Sequence, residues 1–111
     1  MRREEIIREI TRRLVEFYHS ERIYLFGSAA RGDYGPDSDL DFCVVLTDDA
    51  PEELLRTGPI YNCLRGMGLP KDVVPWRKSD FDSRAAFVVA SLPATVVREG
   101  ILLYDARAVA A

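Results

Sequence analysis

Histidine is nearly absent from this chain: His19 is the only one in 111 residues. Any mechanism that needs several imidazoles, as ligands or as bases, is therefore excluded. Cysteine is almost as scarce. Cys43 falls in an apolar strand pattern and Cys63 in a helical one, with no CxxC spacing, so both are read as reduced, packed thiols rather than a disulfide or zinc site. No apolar run approaches the ~20 residues that span a bilayer. The N-terminus, MRREEIIREI, has charges where a signal peptide would have an apolar block, which points to a cytoplasmic protein without a membrane partner. A basic excess is missing too. The net charge of -3 makes direct nucleic-acid binding an unfavoured reading.

What remains is 48% hydrophobic and 30% charged, the make-up of an ordinary globular domain, and the whole of 1–111 is expected to fold as one. Ile6, Ile7, Ile10, Leu14 and Phe17 recur at helical spacing over residues 3–19, an amphipathic helix. RIYLF, residues 22–26, is β-branched and aromatic and predicts a strand ended by Gly27. Ser28 to Arg31 fits one helical turn closed by Gly32, and DYGPDS is loop chemistry. LDFCVVL, residues 40–46, predicts the second strand. Pro51 suits the first position of a helix carrying Leu54 and Leu55, with Gly58-Pro59 as an interruption before residues 60–65 resume it. KDVVPW predicts a third strand, with Pro75 either placing it at a sheet edge or ending it there. Ser79 reads as the N-cap of a helix running to about Ser91, with Asp80 and Asp82 as capping acids. A short helix from Pro93 to Gly100, a strand ILLY and a loose tail from Ala106 complete the chain. The expected architecture is α/β (α+β): a mixed β-sheet flanked by helices.

Three features could carry chemistry. Strand residues two apart share a face, so Asp39 and Asp41 project together while Leu40 and Phe42 enter the core. Two carboxylates on one face suit a divalent cation carrying phosphates, although a solvated strand start has the same spelling. Gly27-Ser28, directly after a strand, lets backbone amides and a hydroxyl approach an anion, with Arg31 one turn on as a phosphate contact or an ion-pair partner. A plain strand-to-helix turn capped by serine would look alike. Asp72 faces away from Val73 and would join the pair if its strand lies alongside. Tyr34 is the aromatic best placed to contact a nucleotide or acceptor. Trp76 could stack on a base or cap the core, and Tyr24, Tyr61 and Tyr104 read as packing residues.

Taken together, GSAARG, DSDLD and KDVV resemble the nucleotidyltransferase superfamily of DNA polymerase beta type, and the N-terminal helix and REGILLYD resemble its minimal prokaryotic members. The resemblance implies a polymerase-beta-like fold and transfer of a nucleoside monophosphate, AMP from ATP, to a hydroxyl with release of pyrophosphate. It implies that Asp39, Asp41 and Asp72 hold Mg2+ in a two-metal site. It also implies that Gly27, Ser28, Arg31 and Ser38 bind the phosphates. Minimal members often pair with a helical HEPN-type toxin and act as antitoxins that adenylylate one of its tyrosines. Larger members add an acceptor-holding domain that 111 residues leave no room for, so the acceptor is expected on a second protein. Two other readings stay open: a non-catalytic module that occludes a partner through an apolar patch at Val88, Val89, Leu92 and Val97, and nucleotidylation of a small molecule.

Overall fold

The computed structural model describes residues 2–33, 35, 38–56 and 58–110, with side chains through residue 108. Its centre is a four-stranded sheet of order β3-β2-β1-β4, with β1 Arg22–Phe26, β2 Leu40–Leu46, β3 Lys71–Arg77 and β4 Ile101–Asp105. β1 pairs antiparallel with both β2 and β4, whereas β2 and β3 run parallel. The sheet is therefore mixed, as expected. A parallel pair needs a long crossover. Here it is made by a 3-10 turn, Glu52–Leu55, followed by α3, Gly58–Cys63.

The two faces of the sheet are separated by residue parity along β2. Leu40, Phe42, Val44 and Leu46 point to one side and join Ile6, Ile10 and Leu14 of α1 (Arg3–Tyr18) and Ile60 of α3 in the larger core. Cys43 and Val45 point to the other side and pack with Phe81 and Val96. Phe81 lies on α4, Lys78–Phe87, and Val96 on α5, Leu92–Glu99. Tyr24 stacks on Phe81 with ring centroids 5.6 Å apart, and the Arg22 guanidinium sits 5.5 Å from the same ring. These two helices cover only part of their face. Asp39 and Asp41 share the parity of Cys43 but lie towards the other end of β2.

β3 is an edge strand, and its outer side is protected. The Val73 amide donates to the Tyr61 hydroxyl at 3.2 Å, and Pro75 has no amide to offer. Gly100 ends α5 where no other residue fits. A Cβ there would meet the Val96 carbonyl oxygen at 2.5 Å and that of Leu25 at 3.0 Å, so the end of α5 lies directly against the end of β1.

Several local expectations are corrected. Gly58-Pro59 opens α3 instead of interrupting a longer helix, because proline fits the amide-free first turn. Ser79 does not cap α4. The helix begins at Lys78, and Asp48 supplies the cap from across the fold: the Ser79 amide (2.9 Å) and hydroxyl both donate to its carboxylate. α4 stops at Phe87, and Ser91 instead caps α5, its hydroxyl accepting from the Ala94 amide at 3.2 Å. Asp80 and Asp82 are not caps either: Asp80 pairs with Arg84, and Asp82 with Arg22 and Lys78. The tail from Ala106 forms a short helix, α6, Ala106–Ala110. Cys63 is exposed rather than packed. Cys43 is buried, which pushes its thiol up to about 12 and leaves it unreactive. No helix among the described residues is long and apolar enough to cross a membrane.

Candidate active site

The site is assembled where β1 ends and β2 and β3 begin. β1 reaches Phe26, whose register partner on β2 is Asp41. Gly27 then turns the chain with φ +74 and ψ -156, a combination open almost only to glycine, and Ser28 starts the short helix α2, Ser28–Arg31. A second reason for glycine is steric. A Cβ at position 27 would collide with the Asp41 carboxylate and lie 3.4 Å from its Cγ. Asp41 thus lies against bare backbone at the mouth of the Gly-Ser turn. Gly32 closes α2 in the left-handed conformation, its amide bonded to the Ser28 carbonyl.

The parallel register decides the position of the third acid: Asp41 stands opposite Asp72. Paired residues on neighbouring strands share a face at the ~4.8 Å strand spacing. Phe42 opposite Val73, both in the larger core, confirms the parity. Asp39 precedes β2 instead of lying within it, and is exposed, as is Asp72. Electrostatics couples the three. Asp41 titrates above the ordinary carboxylate range, first because burial strips it of water, then because Asp72 and Asp39 repel its charge. Arg31 acts in the opposite sense. No group of three or more metal-ligating side chains among the described residues stands at metal-holding spacing. The donor chemistry nevertheless fits a hard divalent ion such as Mg2+: carboxylate oxygens only, a partly desolvated acid, and mutual repulsion that a cation would relieve.

Ser28 is half-buried and its side chain does not cap α2, whose N-cap is Gly27. The reading of Ser28 as a serine cap is therefore wrong. Arg31 is an ion-pair partner in this structure: Nε to Asp33 at 3.2 Å and Nη1 to Glu99 at 3.9 Å. Ser38 closes the intervening loop, its hydroxyl accepting from the Gly35 amide at 2.7 Å. Tyr34 lies outside the described residues. Trp76 caps the smaller core, half-buried, with the Arg84 guanidinium 5.7 Å from its ring. Asp33 belongs to no motif, and Glu99 lies in REGILLYD with no role attached to it. An acid at the last position of α5, where the helix dipole disfavours it, is the one sequence signal that could have drawn notice to Glu99.

Residues 5–95 match the model of the nucleotidyltransferase domain. The chain belongs to the nucleotidyltransferase domain family. Its fold is shared with a Sulfolobus solfataricus protein proposed to be a nucleotidyltransferase, at TM-score 0.62 and 21% identity, over 93% of this chain and 80% of that one. A chain from a toxin-antitoxin structure with AMP-PNP has the same fold, at TM-score 0.60 and 21% identity, over 91% of this chain and 75% of that one. No curated protein matches the sequence. As a member of the family, the domain is a transferase of nucleotidyl groups.

Proposed function

We propose that the domain transfers AMP from ATP to a hydroxyl on a partner protein, a tyrosine of a helical HEPN-type toxin, and thereby acts as an antitoxin. The observation that carries the catalytic reading is the register that sets Asp72 beside Asp41, with Gly27 held against the Asp41 carboxylate. The toxin-antitoxin neighbour with AMP-PNP supports the choice of adenine nucleotide and of a protein acceptor.

In this reading Asp39, Asp41 and Asp72 would hold Mg2+, which supplies charge neutralisation of the triphosphate. Gly27, Ser28, Arg31 and Ser38 receive the phosphates, the glycine through its accessible backbone and the arginine through charge. The acceptor oxygen attacks the α-phosphorus from the Asp72 side. A new P–O bond forms, the bond to the bridging oxygen breaks, and pyrophosphate leaves. The hydroxyl proton passes to the Asp72 carboxylate and on to water. Such a reaction asks for positioning and charge stabilisation and needs no histidine.

The test is incubation with Mg2+, ATP labelled at the α-phosphate and the neighbouring gene's product. Label should appear on that product and disappear with Asp41→Ala; label that persists in the variant refutes the assignment. A second reading, occlusion without catalysis, draws on the exposed Val88, Val89 and Val97, joined by Phe87 at 83% exposure. Leu92, grouped with them in the sequence, is half-buried against the smaller core and does not belong to that patch. Full neutralisation by an Asp39→Asn, Asp41→Asn protein would favour this alternative.

A further inference from the structure

We infer that Glu99 is a positioning residue of the nucleotide site, holding the Arg31 guanidinium where it meets the triphosphate. This inference rests on the proposed nucleotide reading of the site. Glu99 comes from α5, which follows Asp72 and every other proposed site residue in the chain, and reaches Arg31 on α2 at 3.9 Å. Its placement is enforced by the next residue. Gly100 wedges the end of α5 against the Leu25 carbonyl, two residues before the Gly-Ser turn, so the backbone that carries Glu99 is anchored to the strand that presents the phosphate turn.

Stability gives no reason for a glutamate there. The last residue of α5 sits at the negative end of the helix dipole, where an acid is unfavourable and a base is favoured. The ion pair it makes is surface-exposed, at 46% and 40% for the two side chains, and a pair of that kind contributes little to folding. A locally unfavourable choice beside a functional turn is explained by the site. Asp33 takes the Nε of the same guanidinium at 3.2 Å, so Arg31 is gripped from two directions. The Arg31 charge is also felt at Asp41, which places the gripped cation within electrostatic range of the carboxylate site.

Because the tether orients a binding cation and does not touch the reacting atoms, its loss acts on affinity. Titration calorimetry with Mg2+ and AMP-PNP should give a Kd several-fold weaker for Glu99→Gln than for the natural protein. In the transfer assay KM for ATP should rise by the same factor with kcat nearly unchanged. In an Arg31→Ala background Glu99→Gln should have no further effect. The melting temperature of Glu99→Gln should be equal to or above that of the natural protein, which a merely structural ion pair would not give. An unchanged Kd overturns the inference and leaves the nucleotide site standing. A tighter Kd also overturns it, since Glu99 would then compete with phosphate for Arg31. Failure of the natural protein to bind AMP-PNP with Mg2+ would remove the nucleotide reading and this inference together.

Discussion

Replacing Gly27 with alanine tests the packing on which the site depends. The residue has φ +74 and ψ -156, where a side chain costs about 1–3 kcal/mol. The new Cβ also collides with the Asp41 carboxylate. Relieving that contact forces Asp41 off its rotamer, for about 0.5–1.5 kcal/mol more. Gly27→Ala should therefore lose about 1.5–4.5 kcal/mol in urea unfolding followed by circular dichroism. In an Asp41→Ala background the carboxylate is gone, and only the Asp41 Cβ remains, at an ordinary 3.7 Å. The cost should then fall to the backbone share. The difference between backgrounds, about 0.5–1.5 kcal/mol, is the coupling between the glycine turn and the carboxylate. Equal costs in the two backgrounds would refute the claim that Asp41 rests on Gly27.

Asp41→Asn removes a charge that burial and two neighbouring acids oppose. A carboxyl with a raised folded pKa contributes stability below its unfolded value and loses it as pH rises. The variant should therefore melt higher than the natural protein at pH 7, with the gap closing near pH 3, while label transfer is lost. Asp82 behaves in the opposite sense. Burial opposes its ionisation, but hydrogen bonds from Arg22 at 2.6 Å and Lys78 at 3.2 Å outweigh it and hold the carboxyl low. Its contribution, about 1 kcal/mol after screening at this partly exposed site, is present above the unfolded pKa near ~4 and disappears as pH falls. Asp82→Asn should be less stable at pH 7, with the deficit shrinking as pH falls below ~4, as chemical melts across that range would show. Phe81→Ala should cost about 3–5 kcal/mol in the same melts, because Phe81 is fully buried in the smaller core and stacked on Tyr24. A loss below about 1 kcal/mol would mean the smaller core is loosely packed.

Local chemistry alone determines much of this protein. Strand alternation in LDFCVVL put Leu40 and Phe42 in the core, and the glycine after RIYLF marked the turn, because period and backbone freedom are properties of adjacent residues. The same local view mistook Ser79 for a cap, because Asp48, distant in sequence, does the capping. It also left open whether Asp72 joins the aspartate pair. A strand's sequence shows its faces but not its neighbour or its register, since these follow from which strands bury their apolar faces together. Only the parallel β2-β3 register sets Asp72 opposite Asp41, and only the wedge at Gly100 brings Glu99 to Arg31. The sequence supplied the acids and the glycine turn. The tertiary structure decided which of them meet.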